Sequence, residues 1–136
     1  MIIGIGNTLR RDDGAGPFVA AGAFPPNVEA IVVHQLLPEL AETIARARRV
    51  IFVDAIEGAL ELGWVPITAE WRSAPDHALD PATMLALAET LFGQAPLTHL
   101  LTVPGEDFGF GEGLSPKTEA FCETARERIR EWLVAH

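Results

Sequence analysis

Cysteine, basic residues and long apolar runs are all scarce in this sequence. The 136 residues include one cysteine and 10 lysines plus arginines against 19 aspartates plus glutamates, for a net charge of −9. Because Cys122 has no partner for an intrachain disulfide, the fold does not rely on oxidation, and a cytoplasmic location is expected. The acidic balance would repel a phosphate backbone, so nucleic acid is not expected as a partner. No apolar run approaches the roughly 18 residues that cross a bilayer, so no membrane insertion is expected.

The chain is nevertheless rich enough in apolar residues to build a full core. Apolar residues make up 49% of the sequence, and a chain of this size buries roughly two-thirds of its unfolded surface. We therefore predict a single domain over residues 1–136. Its opening, Met1 to Gly6, lacks the cationic region of a secretory signal peptide.

Short β-branched runs alternate with amphipathic segments along the chain. Turn residues or prolines separate them, as in Gly6-Asn7 and Pro25-Pro26. Asp80-Pro81 predicts a capped helix start and Gly93 the end of that helix. The patterns predict strands over residues 2–5, 28–34, 50–55, 64–69 and 97–103, and helices over residues 13–22, 38–47, 81–92 and from 116 to near the end.

The order of these elements predicts the fold class. A β-α-β-α-β pattern with short connections implies parallel strands joined by right-handed crossovers, with helices on both faces. The strand over residues 64–69 should be antiparallel, because its connection is too short for a helical crossover. We predict a three-layer α/β fold whose twisted, mainly parallel five-stranded sheet has the first strand between the second and third.

Polar side chains follow the first three predicted strands. Strand one runs into Asn7 and the acidic pair Asp12-Asp13, strand two ends at His34-Gln35, and strand three ends at Asp54. Ligands of open α/β sheets bind beyond the carboxyl ends of parallel strands. An acid that leaves an apolar strand is costly to bury unpaired, so it commonly accepts several hydrogen bonds or binds a cation. These residues are the candidate site.

Structural roles compete with each functional one. Asp12 or Asp13 could cap the first helix, and Asp54 could cap a turn, although its place after Val50–Val53 favours function. His77 lies in a polar loop, where a solvent-exposed histidine is the ordinary interpretation. The basic cluster from Arg46 to Arg49 complements the dipole at a helix end.

Two motifs that could suggest other activities do not hold. Gly4 to Leu9 follows a strand, but Leu9 stands where a dinucleotide fingerprint needs glycine. Cys122 falls on the apolar side of the last predicted helix, which indicates an inert buried thiol.

The opening motif resembles that of a known family. The sequence Gly4-Ile5-Gly6-Asn7, a spacer, Asp12-Asp13-Gly14 and then Gly16 is similar to the start of the hydrogenase maturation proteases. Residues 50–55 look like that family's third strand, and residues 113–116 like the entry to its last helix. The match runs in order along nearly the whole chain. It implies the three-layer, phosphorylase/hydrolase-like architecture of the family.

The resemblance also implies an activity. It indicates a nickel-responsive endopeptidase that removes the C-terminal extension of a nickel-iron hydrogenase large-subunit precursor after nickel insertion. Two acids and a histidine contact metal in that family, and by position they fall on Asp13, Asp54 and His77. The two carboxylates are then the catalytic candidates. The precursor is the implied partner and would present the nickel, with zinc or another divalent ion as an alternative.

The segment after strand two departs from the family. Members commonly carry Asp-Gly-Gly-Thr there, whereas this chain has His34-Gln35-Leu36-Leu37. Asn7, His34 and Gln35 are therefore the candidate substrate contacts, and His34 could instead add a metal ligand. Two other functions remain open from the sequence: a non-cleaving nickel-site chaperone or checkpoint, and a peptidyl-tRNA hydrolase-like hydrolase.

Overall fold

A computed structural model describes residues 1–72 and 79–136. The strands are β1 (Ile2–Ile5), β2 (Ala30–Val33), β3 (Arg49–Glu57), β4 (Gly63–Ile67) and β5 (Leu97–Gly105). The helices are α1 (Ala15–Ala20), α2 (Leu40–Arg46), α3 (Pro81–Phe92) and α4 (Pro116–Ala135), and a 3₁₀ turn, Arg11–Gly14, precedes α1.

All five strands form one sheet in the order β2-β1-β3-β5-β4. The first four in this order are parallel, and β4 runs antiparallel to β5. β1 lies between β2 and β3. The predicted fold class, strand order and antiparallel fourth strand are confirmed.

Helices cover both faces of the sheet, because alternate residues of a strand point to opposite faces. On one face, Ile51 and Val53 of β3 pack with α1 and α4 through Val19 and Ile129. On the other, Val50 and Phe52 pack with α2 and α3. Buried on both faces, the central strand is a continuous apolar run rather than an alternating one.

Several element bounds differ from the predicted ones. The segment 13–22 divides into the 3₁₀ turn and α1, because contacts of Asp12 with the loop after β5, described below, fix the first turn. β3 extends to Glu57 since it pairs with β5 along its whole length. β2 is only four residues long at the edge of the sheet.

The third helix begins and ends as predicted. The Thr83 N–H donates to Asp80 Oδ1 at 2.8 Å, and Gly93 ends the helix in the left-handed conformation with φ +79°. Across residues 1–72 and 79–136, no helix is both long and apolar enough to cross a membrane.

Candidate functional site

The carboxyl ends of β2 and β1 lie level with Asp54 of the longer strand β3, which continues to Glu57. Gly4 of β1 pairs with Val53 of β3, and the Gly6 N–H donates to the Val33 carbonyl at the end of β2. After β1 the chain continues to β2 on one side, and after β3 it continues to β4 and β5 on the opposite side of the sheet. Such a reversal opens a ligand crevice in an α/β fold.

Asp13 is held directly over the end of β1. Its Oδ2 atom accepts a hydrogen bond from the Asn7 N–H at 2.7 Å. Gly6 adopts φ +151°, and a Cβ on this residue would lie 1.9 Å from the Asp13 carbonyl oxygen. The turn therefore requires glycine, and this close approach positions the half-buried Asp13 at the crevice.

Helix α1 sits unusually close to the strand ends because Gly16 has no side chain. A Cβ at Gly16 would lie 2.4 Å from the Ile5 carbonyl oxygen and 2.5 Å from that of Val53. The helix therefore packs on the backbone of both strands. This packing brings the turn that carries Asp13 toward the part of β3 where Asp54 follows Val53.

Asp54 is a half-buried acid within reach of the charge of Asp13. Burial raises the pKa of Asp54 to about 6, a hydrogen bond from the Ala55 backbone opposes this increase, and the negative charge of Asp13 adds to it. The two acids predicted after the strands therefore lie near each other. Neither carboxylate forms an ion pair within residues 1–72 and 79–136.

Asp12 has a structural role that differs from both predicted ones. It is fully buried, and its carboxylate accepts hydrogen bonds from the N–H groups of Glu106, Asp107 and Ser115 and from the Ser115 and Thr118 hydroxyls, at 2.7–3.0 Å. Burial alone would raise its pKa, but the backbone and hydroxyl donors outweigh burial and lower the pKa to about 2. Asp12 thus ties the turn to the loop after β5 and to the start of α4.

Neither acid caps α1, so the helix-cap interpretation of this pair is wrong. The residue before α1 is Gly14, which has no side chain to accept a hydrogen bond.

The basic cluster also differs from the dipole interpretation in detail. Arg46 pairs with Glu42 one turn earlier at 2.6 Å, and Arg49 already belongs to β3.

The loop after β5 is bonded to the turn that precedes Asp13. The Arg10 guanidinium donates from Nε and Nη2 to the Phe108 carbonyl at 3.2 and 3.1 Å, and the Arg11 N–H donates to the Gly111 carbonyl at 3.0 Å. Arg11 adopts φ +45°, a conformation that is costly for a side chain other than glycine. This turn is therefore fixed by several long-range contacts.

The predicted substrate contacts lie at the same edge of the sheet. The Asn7 Oδ1 atom accepts from the Leu9 N–H at 2.9 Å, and within the described ranges the Asn7 Nδ2 group donates to no protein atom. His34 and Gln35 are exposed just beyond β2. His77 lies outside the described residues, and the described part of the chain contains no group of three metal-ligating side chains.

Sequence reasoning missed the network around Asp12. The sequence does contain a signal for this network. Ser115 and Thr118 stand three residues apart at the start of a helix, so their hydroxyls and the free backbone N–H groups there can donate to one acceptor. The partner acid lies more than 100 positions away. No local pattern shows which of two adjacent acids it is.

No family model and no curated protein matches this chain. Among solved structures, hydrogenase maturating endopeptidase HybD from E. coli matches with TM-score 0.75 and 21% identity, covering 98% of this chain and 91% of that one. The hydrogenase 2 maturation peptidase of a Thaumarchaeota archaeon matches with TM-score 0.72 and 21% identity, covering 99% and 97%.

A third solved structure is somewhat more similar in sequence. The [NiFe] hydrogenase maturation protease HycI from Thermococcus kodakarensis KOD1 matches with TM-score 0.70 and 26% identity, covering 96% of this chain and 88% of that one. These likenesses run the length of both chains. The resemblance drawn from the opening motif is confirmed in structure, and this chain has, end to end, the fold of the hydrogenase maturation proteases.

Proposed function

We propose that this protein is an endopeptidase that removes the C-terminal extension of a nickel-iron hydrogenase large-subunit precursor after nickel insertion. The observation that carries the proposal is that Asp13, on the turn after β1, lies near Asp54 on the neighbouring strand β3. It occurs in a chain whose structural relatives are named endopeptidases and proteases of hydrogenase maturation. Paired carboxylates at the edge of a cleft suit the hydrolysis of a peptide bond.

The acidic pair also suits recognition of nickel carried by the precursor. Within the described residues neither carboxylate has a cationic partner, and a divalent ion would supply the missing positive charge. We propose that Asp13, Asp54 and His77 contact this ion, since carboxylate and imidazole ligands suit nickel or zinc. A divalent ion at such a site polarises a nearby carbonyl group.

The chain's own residues have distinct roles in this proposal. One carboxylate of the pair accepts a proton from the attacking water and delivers it to the departing amine. The Asn7 Nδ2 group, which has no protein acceptor among the described residues, donates a hydrogen bond to a substrate carbonyl. His34 and Gln35, exposed at the end of β2, contact the precursor beside the pair.

Asparagine substitutions test the acidic pair. Asp13→Asn and Asp54→Asn should each abolish processing, because asparagine keeps the shape and one acceptor oxygen but removes the charge. Asparagine can still accept the hydrogen bond that Asp13 takes from the Asn7 N–H. At Asp54 it removes a charge that burial disfavours, so both variants should melt near the wild type. The measurement is mass spectrometry of nickel-loaded precursor incubated with each variant, alongside thermal melts.

Glu57→Gln is the matched control. Glu57 is an exposed acid three residues after Asp54 on the same strand, so this variant removes one negative charge near the site without touching the pair, and it should process the precursor normally. Full processing by both aspartate variants would contradict the proposal. Binding without cleavage by the wild-type protein would favour the checkpoint function instead.

A further inference from the structure

Strand β2 leaves one edge of the sheet open beside the acidic pair. Within residues 1–72 and 79–136 it pairs with β1 alone, and it is four residues long. Ala30 and Val32 are exposed, with 53% of the Val32 surface accessible. An unpaired strand presents a row of free N–H and C=O groups to which another chain can add.

The register shows which groups are free. The Ile2 N–H donates to the Glu29 carbonyl at 2.8 Å and the Gly6 N–H to the Val33 carbonyl at 3.0 Å. In a parallel ladder that begins and ends this way, Ile31 and Val33 direct their backbone groups toward β1. The backbone groups of Ala30 and Val32 therefore point away from the sheet.

The far edge of the sheet is not equivalent. It is formed by β4, which contains Pro66 and so lacks one N–H donor. β4 also runs antiparallel to its neighbour, so its carboxyl end lies away from the crevice. The β2 edge instead leads directly into His34 and Gln35, and the neighbouring strand β1 leads into the turn that carries Asp13.

We propose that an extended segment of the precursor binds as an additional strand along β2, with its backbone bonded to Ala30 and Val32. This inference rests on the proposed function and names the surface that holds the substrate. The occupant is a peptide because the free groups are backbone donors and acceptors, which a strand complements in full. A segment that runs along β2 reaches the carboxyl ends of β2 and β1, the end of the sheet at which the two carboxylates lie.

Val32→Pro tests this surface. Proline removes the outward N–H of residue 32, and its ring obstructs an added strand, while the bonds of Ile31 and Val33 to β1 remain. With nickel-loaded precursor as substrate, KM should rise at least about fivefold with kcat within about twofold, as expected when binding alone is weakened. Unchanged KM in a folded Val32→Pro protein would overturn the proposal.

Val32→Thr is the matched control. Threonine keeps the N–H and the β-branched shape and changes only the side chain, so KM should rise much less than in Val32→Pro. Equal losses in both variants would assign the effect to the side chain and contradict backbone pairing. Thermal melts of both variants establish that the strand is folded.

Hydrogen exchange gives a test that needs neither cleavage nor a proline. Brief deuterium labelling of the wild-type protein, with and without excess nickel-loaded precursor, is read at single amides by NMR. Ala30 and Val32 should gain protection, while Ile31 and Val33, already bonded to β1, should change little. Absence of protection despite precursor binding would overturn the edge proposal even if the protein cleaves.

The outcomes separate this inference from the proposed function. If the wild type cleaves and Val32→Pro cleaves with the same KM, only the strand-addition proposal fails. If the wild type does not cleave but the precursor protects Ala30 and Val32, only the peptidase proposal fails. A concentration-dependent dimer that Val32→Pro abolishes, with KM unchanged, would assign the edge to a second copy of this chain and overturn the proposal.

Discussion

Two adjacent aspartates in the first turn have different tasks. The carboxylate of Asp12 is buried and satisfies three backbone N–H groups and two hydroxyls. That of Asp13 faces the crevice and accepts only the Asn7 N–H among the described residues. Neighbouring side chains in a helical turn point in different directions, so a single turn can anchor one acid in the fold and present the other to a ligand.

Asp12→Asn should destabilise the protein far more than Asp13→Asn. The five groups around Asp12 all donate hydrogen bonds, so an amide NH₂ in place of a carboxylate oxygen leaves several of them without an acceptor. Each hydrogen bond to a charged group contributes about 1.5–3 kcal/mol. We expect Asp12→Asn to lower the free energy of unfolding by about 3 kcal/mol or more, as measured by chemical denaturation. A loss below about 1 kcal/mol would contradict the anchoring role.

The residues by themselves predicted acids after the strands, and the choice of Asp13 over Asp12 came from the family resemblance. Asp54 follows a buried apolar run, so its place at the crevice follows from the strand alone. For Asp12 and Asp13 the pattern shows only two acids before a helix, which fits capping as well as function. The structural reason for the choice lies in Ser115 and Thr118, which are more than 100 positions from Asp12 in sequence and which the fold brings to it.

At the scale of elements, α1 is the piece that builds the crevice. It is only six residues long, too short to be stable by itself. Its position depends on contact with the ends of β1 and β3 through Gly16. A longer side chain at that position would push the helix outward and separate the Asp13 turn from Asp54.

Gly16→Ala should therefore disturb both stability and the site. The added methyl group would lie 2.4 and 2.5 Å from two carbonyl oxygens, so helix and strands must move apart, and overpacking of this kind costs about 1–3 kcal/mol or more. We expect a loss of at least about 2 kcal/mol by chemical denaturation and a marked fall in precursor processing.

Gly93→Ala is the control for Gly16→Ala, because it replaces a glycine at a position where the added methyl group is not crowded. A Cβ at Gly93 meets nothing within 4 Å, although its φ of +79° disfavours alanine, so the cost should be about 1 kcal/mol with processing intact. Equal losses in both variants would show that crowding at Gly16 is unimportant.

The elements were easier to predict than their ends. β1, the third helix and the strand order followed from apolar runs, a capping aspartate and the alternation of strand and helix. The end of β3 did not, because Ile56 and Glu57 are exposed and extend the strand only by pairing with Pro104 and Gly105 of β5. Local sequence does not reveal such a partner.

At the scale of the whole molecule, one core holds α1, α4 and three strands together, and the lone cysteine lies inside it. Cys122 is fully buried among Ala15, Val19 and Ala125. Its thiol donates weakly to the Ala15 carbonyl at 3.8 Å. Burial raises the pKa of this thiol to about 12. The expectation that the thiol is buried is confirmed, and its low reactivity stays a prediction.

Cys122 should therefore report global unfolding. The thiolate is the reactive form, and at pH 8 a buried thiol with a pKa near 12 supplies almost none of it, so an aromatic disulfide reagent should leave the native protein unmodified over minutes. Denaturant should release one equivalent of reactive thiol, with a midpoint that coincides with the loss of helical circular dichroism, because reaching Cys122 requires α4 to leave the sheet. The Asp12→Asn variant, which loosens the start of α4, should react faster than Asp13→Asn at the same denaturant concentration. Complete labelling of the native wild type within seconds would contradict this prediction. It would show that α4 opens locally, without unfolding of the rest of the core.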